Sequence, residues 1–162
     1  MNPEAAAIIA RLQLTPLAQE GGFFRQTWRS ADVLPDGRAG GGAIYFLMTP
    51  VDFSALHRLR MAEVWHFYAG DPVEHLQLDS ARRVGISTVM GSDLLAGHTP
   101  QLLAPAGVWQ GARLVPTGFR GWSLMGTTTC PAWTTDDFEL GSRVDLQREF
   151  GVHSASIAAL TR

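Results

Sequence analysis

The sequence predicts a mainly β fold, an antiparallel sandwich or barrel, with a short N-terminal helix and a C-terminal helical segment. Three observations predict it. Short apolar runs recur between about residues 21 and 130, Gly and Pro punctuate the gaps, and no regular helical pattern separates one run from the next. The 162 residues suit one domain, read here as 1–162 with no linker or repeat. The AVILMFWYC set makes up 46% and charged residues 17%, which supplies a core and excludes a disordered chain.

The elements follow in order. Asn2 is placed to cap a helix, Pro3 is tolerated in a first turn, and Glu4 suits the positive end of the dipole. Ile8, Ile9 and Leu12 give a one-sided apolar stripe, so a helix is expected over 3–14, stopped by Pro16 and laid against a sheet. Strands are expected at Phe23–Trp28, Ala43–Met48, Val64–Ala69, Val73–Leu78, Val84–Met90, Val108–Val115 and Gly121–Thr128. Pro35-Asp36-Gly37, Gly70-Asp71-Pro72 and Pro105-Ala106-Gly107 have turn chemistry. Near the C-terminus, Ser142 with Asp145 three residues on forms an N-cap pattern, and Gly151 stands where a C-cap would fall. The helical segment is expected over about 142–160, with a second short piece near Ser156–Leu160.

Composition excludes several functions. The net charge is −2 and the pI about 6.2, with thirteen basic residues that are all arginine, which argues against nucleic acid. Cys130 is the lone cysteine, so neither an internal disulfide nor a zinc ribbon can form, and it reads as a buried small residue. No apolar run reaches membrane-span length and the N-terminus lacks a basic signal region, so a cytoplasmic protein is expected. Gly21-Gly22 and Gly40–Gly42 fit neither a P-loop nor a dinucleotide fingerprint, and the latter leads into a strand.

The chemistry concentrates in His57-Arg58-Leu59-Arg60-Met61-Ala62-Glu63-Val64-Trp65-His66-Phe67. If residues 59–61 form a hairpin tip, His57 and Glu63 stand opposed across two strands, with Cβ atoms roughly 4.5–5.5 Å apart. Alternation then puts Glu63, Trp65 and Phe67 on one face and Val64, His66 and Tyr68 on the other. One carboxyl among aromatic rings is the composition of a small-molecule pocket. Burial there would raise the Glu63 pKa and a nearby cation would lower it.

This stretch resembles the cupin superfamily. His57, Glu63 and Gly70 match the first histidine, the glutamate and the closing glycine of its first motif, and Leu59 takes the place of the second histidine. Pro105 and Gly107 match the Pro-x-Gly turn of its second motif, with Gln110 where that motif has a histidine. Glu20–Arg25, Glu63–Pro72, Pro105–Gln110 and Asp137–Leu140 together resemble the uncharacterised cupin subgroup labelled predicted sugar epimerases. The resemblance implies a jelly-roll barrel, commonly dimeric, with its site inside the barrel mouth.

In that barrel His57 is expected to act as base, or as metal ligand, with Glu63 as its partner or as the opposing acid. A structural alternative for Glu63 is an ion pair with Arg25 or Arg113. Gln110, sharing a strand face with Ala112, would orient a hydroxyl or carbonyl. Trp65 and Phe67 would pack on the ligand ring, while Arg25 and Arg113 would clamp an anionic group unless paired with Asp137 or Glu139. His66, His75, His98 and His153 read as structural, and Trp109 and Trp122 as core or interface aromatics. With two of four ligand positions replaced, metal is expected to bind weakly or not at all, and no cofactor is expected. The expected function is a metal-independent isomerase or epimerase of a sugar or similar polyhydroxylated compound. The alternatives are a metal-dependent, oxygenase-like cupin and a non-catalytic small-molecule binder. Exposed edge strands favour a homodimer.

Overall fold

The computed structural model describes all residues, 1–162. Helix α1 (Pro3–Leu12) starts as its cap requires. The Asn2 side chain accepts from the backbone N–H of Glu4 at 2.8 Å and of Ala5 at 3.3 Å. It stops short of residue 14 because Gln13 turns left-handed, φ 55°, and returns its N–H to the carbonyls of the last turn. Thr15–Pro16 then form a two-residue strand, β1, against β2 (Phe23–Arg29).

The chain continues through β3 (Gly42–Met48), β4 (Ser54–Leu59), β5 (Glu63–Gly70), β6 (Val73–Asp79) and β7 (Val84–Met90). There follow β8 (Gln101–Ala104), β9 (Trp109–Leu114), β10 (Ser123–Thr129), β11 (Phe138–Leu140), α2 (Arg143–Glu149) and α3 (Ser154–Ala159). Two sheets result, with orders β1-β2-β3-β10-β5-β8 and β11-β4-β9-β6-β7, and every strand pair is antiparallel. The seven expected strands all form. β4 escaped notice because nearly every residue of Ser54–Leu59 is buried, so no apolar–polar alternation marks it.

Three apolar layers hold the sheets. Between them, Phe46, Met48, Trp65, Met90, Leu114 and Met125 form the barrel interior. Outside the second sheet, Leu56, Leu76 and Leu78 are covered by Leu146, Phe150 and Ile157 of the C-terminal segment. Outside the first, Leu47 and Trp122 are covered by Ala5 and Leu14, and the Trp122 indole donates to Glu4 at 2.8 Å. Trp109 and Trp122 are thus core aromatics. Ser142 caps α2 by accepting from the Asp145 N–H at 3.4 Å. Phe150 is the C-cap; Gly151 instead opens a 3₁₀ turn, Gly151–His153, that leads into α3. Cys130 is exposed rather than buried, beside the turn that follows β10. No helix is long and apolar enough to cross a membrane.

Geometry requires glycine at positions 21 and 70. At Gly21, φ +108°, a Cβ would strike the Phe53 carbonyl, and at Gly70, φ +105°, the Trp122 carbonyl.

Ile157 has no exposed surface and ties α3 to the second sheet. Ile157→Ala should cost about 2–5 kcal/mol in urea unfolding. A loss below about 1 kcal/mol would mean that the C-terminal helices do not support the barrel.

Candidate active site

At the end of the barrel where β3 and β5 begin and β4 and β10 finish lies a cavity of ≈ 140 Å³. For scale, an apolar cavity of about 150 Å³ holds one benzene ring. His57 and Glu63 both line it. They do not meet across a hairpin as expected. β4 and β5 belong to different sheets, so residues 60–62 turn a corner between sheets and the two side chains converge across the barrel interior.

Neighbouring strands set each side chain. His57 is opposite Gln110 in the β4–β9 ladder, which puts both on the inner face. Its Nδ1 lies 2.8 Å from the Ala55 carbonyl. A carbonyl only accepts, so Nδ1 carries the hydrogen in the neutral ring, and the Nε2 lone pair is left for the cavity. Phe138 stacks on the imidazole with centroids 5.0 Å apart, holding the ring plane. Glu20, from the loop before β2, brings Oε1 to 4.0 Å from His57 Nδ1 and accepts from the Ser54 hydroxyl. The side chain of Arg162 donates to the Gln19 and Glu20 carbonyls and covers the Phe53 ring, clamping that loop.

Gln110 reaches from the second sheet to the first. Its amide oxygen accepts from the Trp65 indole at 2.8 Å and its amide nitrogen donates to Glu63 Oε2 at 2.8 Å. An indole N–H can only donate, which settles the amide orientation and turns the NH₂ toward the carboxyl. Burial pushes the Glu63 carboxyl above its ordinary value of 4.5; nearby His57 opposes the shift and Glu20 adds to it.

The structure separates the other expected residues from the cavity. Trp65 and Phe67 share the inner face with Glu63 but lie two and four residues further along the strand, about 7 and 13 Å away, Trp65 inside the packed core and Phe67 half-buried against it. The rings that do line the cavity are Phe24, Trp133 and Phe138. Arg25 is on the outer face of β2, over the Tyr45 ring and donating to Gln13. Arg113 is on the outer face of β9, paired with Glu74 at 2.9 Å. Neither pairs with Asp137 or Glu139, whose partners are Arg38 and Arg58, and neither pairs with Glu63. Strand parity carried that signal, since Gln110 and Ala112 facing inward put Arg113 outward. Thr127 and Thr129, at the inward positions of β10, also line the cavity; nothing local in the sequence marked them or Glu20 as site residues.

Two antiparallel sheets around a cavity lined by His57, Glu63 and apolar walls define the chain as a cupin-like barrel. The Cupin superfamily (DUF985) model matches residues 6–141, and the chain belongs to that family. It is similar to a structural-genomics protein of Shewanella oneidensis, with 32% identity over 100% of this chain and 98% of that one, at a TM-score of 0.88. A hypothetical protein of Leishmania major is 31% identical over 97% of this chain and 98% of that one, at 0.86. The oxalate decarboxylase of Bacillus subtilis shares the fold alone, at 15% identity over 88% of this chain and 36% of that one, with a TM-score of 0.55. No curated protein matches the chain.

Superfamily resemblance implies a metal on four ligand positions, and the residues present do not fit one. Leu59 stands at the second position as a cavity wall, and the Gln110 carbonyl oxygen is taken by Trp65. Nowhere do three or more His, Cys, Asp or Glu side chains come together to hold a metal, whereas tight transition-metal sites need three or four such donors.

Behind the site, His75 is fully buried on β6 against Trp65, with both ring nitrogens unpartnered. Burial, with His57 nearby, lowers its pKa from 6.5 to about 3. The folded chain therefore refuses a proton that the unfolded chain takes up. Stability from this group is complete above 6.5 and is lost as pH falls toward about 3. In urea titrations, wild type should lose stability relative to His75→Leu over that interval; parallel pH profiles would refute it.

Proposed function

We propose that this chain is a metal-independent isomerase or epimerase acting on a sugar or a similar polyhydroxylated small molecule. The observation that carries the reading is the locked imidazole. Ala55 holds the Nδ1 hydrogen of His57, which leaves the Nε2 lone pair free to act as a base on a ring that lines the same cavity as Glu63. Such a base can take a proton from carbon next to a carbonyl. Burial favours the protonated form of Glu63, a group suited to deliver a proton to the substrate oxygen or to the opposite face of the carbon. Thr127, Thr129 and Gln26 offer hydroxyl and amide partners to the substrate, while Phe24, Ile44 and Phe138 meet its apolar face. Gln110 positions Glu63 and does not face the ligand freely, because both ends of its amide are taken.

Proton exchange provides the test. Sugars incubated with the protein in D₂O should lose one carbon-bound proton signal by NMR. His57→Gln should slow that exchange about 10²–10⁴-fold while melting at the wild-type temperature. Absence of exchange across aldoses, ketoses and their derivatives, or an equal rate in the variant, would sink the proposal. Tight retention of a metabolite without exchange would instead make this a binding cupin.

Two copies are proposed to pair at their edge strands. β7 ends the second sheet and exposes Val84 and Ile86, an unpaired apolar edge of the kind that association covers. Sedimentation should give twice the chain mass, and a 17.6 kDa species at micromolar concentration would refute pairing.

A further inference from the structure

We infer that the ligand of this cavity carries a protonated amine and no phosphate or carboxylate, with its ammonium held by Glu20 against the aromatic wall. The inference rests on the cavity being the small-molecule site, and it names the charge class which that site accepts.

The charge balance of the lining carries the argument. Glu20 and Glu63 face the cavity and no arginine does, in a chain that has no lysine. Of the arginines on the adjoining segments, Arg38 and Arg58 are committed elsewhere, and Arg60 is exposed outside the lining. Arg38 holds Asp137 at 2.7 Å and the Ala132 carbonyl at 3.0 Å, and Arg58 grips both oxygens of Glu139 while lying over Trp109. A phosphate or carboxylate entering here would lose its hydration beside the Glu20 side chain with no arginine or lysine to replace it.

An ammonium finds what the anion lacks. Ser54 occupies Oε1 of Glu20, leaving the second oxygen free to accept, and that side chain is 14% exposed. Charge-assisted hydrogen bonds in such partly dry surroundings are about twice as strong as neutral ones. Phe24, Trp133 and Phe138 present ring faces or edges around the same space, and ring faces attract cations as well as apolar rings. A second, independent feature asks for a ligand at this place. His57 is 2% exposed and lines the cavity, and its one hydrogen bond within the protein is made by Nδ1, to the Ala55 carbonyl. A polyhydroxylated amine satisfies both groups at once, with a hydroxyl or C–H at His57 and its ammonium at Glu20.

Three probes that share one six-membered ring and differ in charge test this without knowledge of the substrate. They are cyclohexylammonium, cyclohexanol and cyclohexanecarboxylate, titrated into the full-length protein and followed by amide chemical shifts of cavity residues. Cyclohexylammonium should bind about ten- to a hundred-fold more tightly than cyclohexanol, with the carboxylate weakest. Glu20→Gln, which keeps an acceptor oxygen for Ser54, should bring the amine down to the affinity of the alcohol. The inference falls if the carboxylate binds best, if amine and alcohol bind alike, if no probe shifts cavity residues, or if Glu20→Gln keeps the preference. Should that variant not fold, the wild-type series decides alone. The measurement involves no turnover, so exchange without amine preference overturns this inference only, and amine preference without exchange overturns the isomerase reading only.

Discussion

One side-chain amide joins the two sheets at the place where the chemistry would occur. Gln110 stands on the second sheet, while both of its partners, Trp65 and Glu63, stand on the first. The indole can only donate, so the amide has one orientation, and that orientation aims a donor at the carboxyl. Removing Gln110 would strand two buried polar groups, at about 1–3 kcal/mol each. Glu63 thus owes its placement to a contact between strands 45 and 47 residues apart in the sequence, and its raised pKa to the dry barrel end around it.

The rest of the fold keeps that barrel end rigid. Apolar side chains fill the interior below the cavity, α1 seals the outside of one sheet, and the C-terminal helices seal the outside of the other. The Arg162 side chain closes the arrangement by gripping the loop that carries Glu20. His57, Glu63 and Glu20 are therefore mounted on elements that packing holds from both sides. At the two positions where the superfamily pattern has further histidines, this chain has a cavity wall and a committed amide.

Much of this was legible in the sequence, for identifiable reasons. Short apolar runs bounded by Gly and Pro announce strands, and β2, β3, β5 and β6 did so. Asn2 and Ser142 marked their helices because a cap is a local contact. β4 was hidden by burial on both faces, and β11, three residues long, carries too little pattern to be seen. His57, Glu63 and Gln110 stood out through their motif positions. Trp65 and Phe67 misled because strand parity gives the face of a side chain and not its depth. Arg25 and Arg113 misled because residue type was weighed above parity.

By itself the sequence determined the fold class, the inward face of β5 and the two residues, His57 and Glu63, that line the cavity. Those properties depend on spacing within a few residues, where alternation, turn chemistry and capping operate. The tertiary structure alone decided that His57 and Glu63 meet across the barrel and not across a hairpin. It also decided that Glu20 joins them, that Phe24, Trp133 and Phe138 supply the rings, and that Arg38, Arg58 and Arg113 are paired away from the cavity. Each of these depends on which distant strands pack face to face, and that choice is made by burying apolar surface across the whole chain.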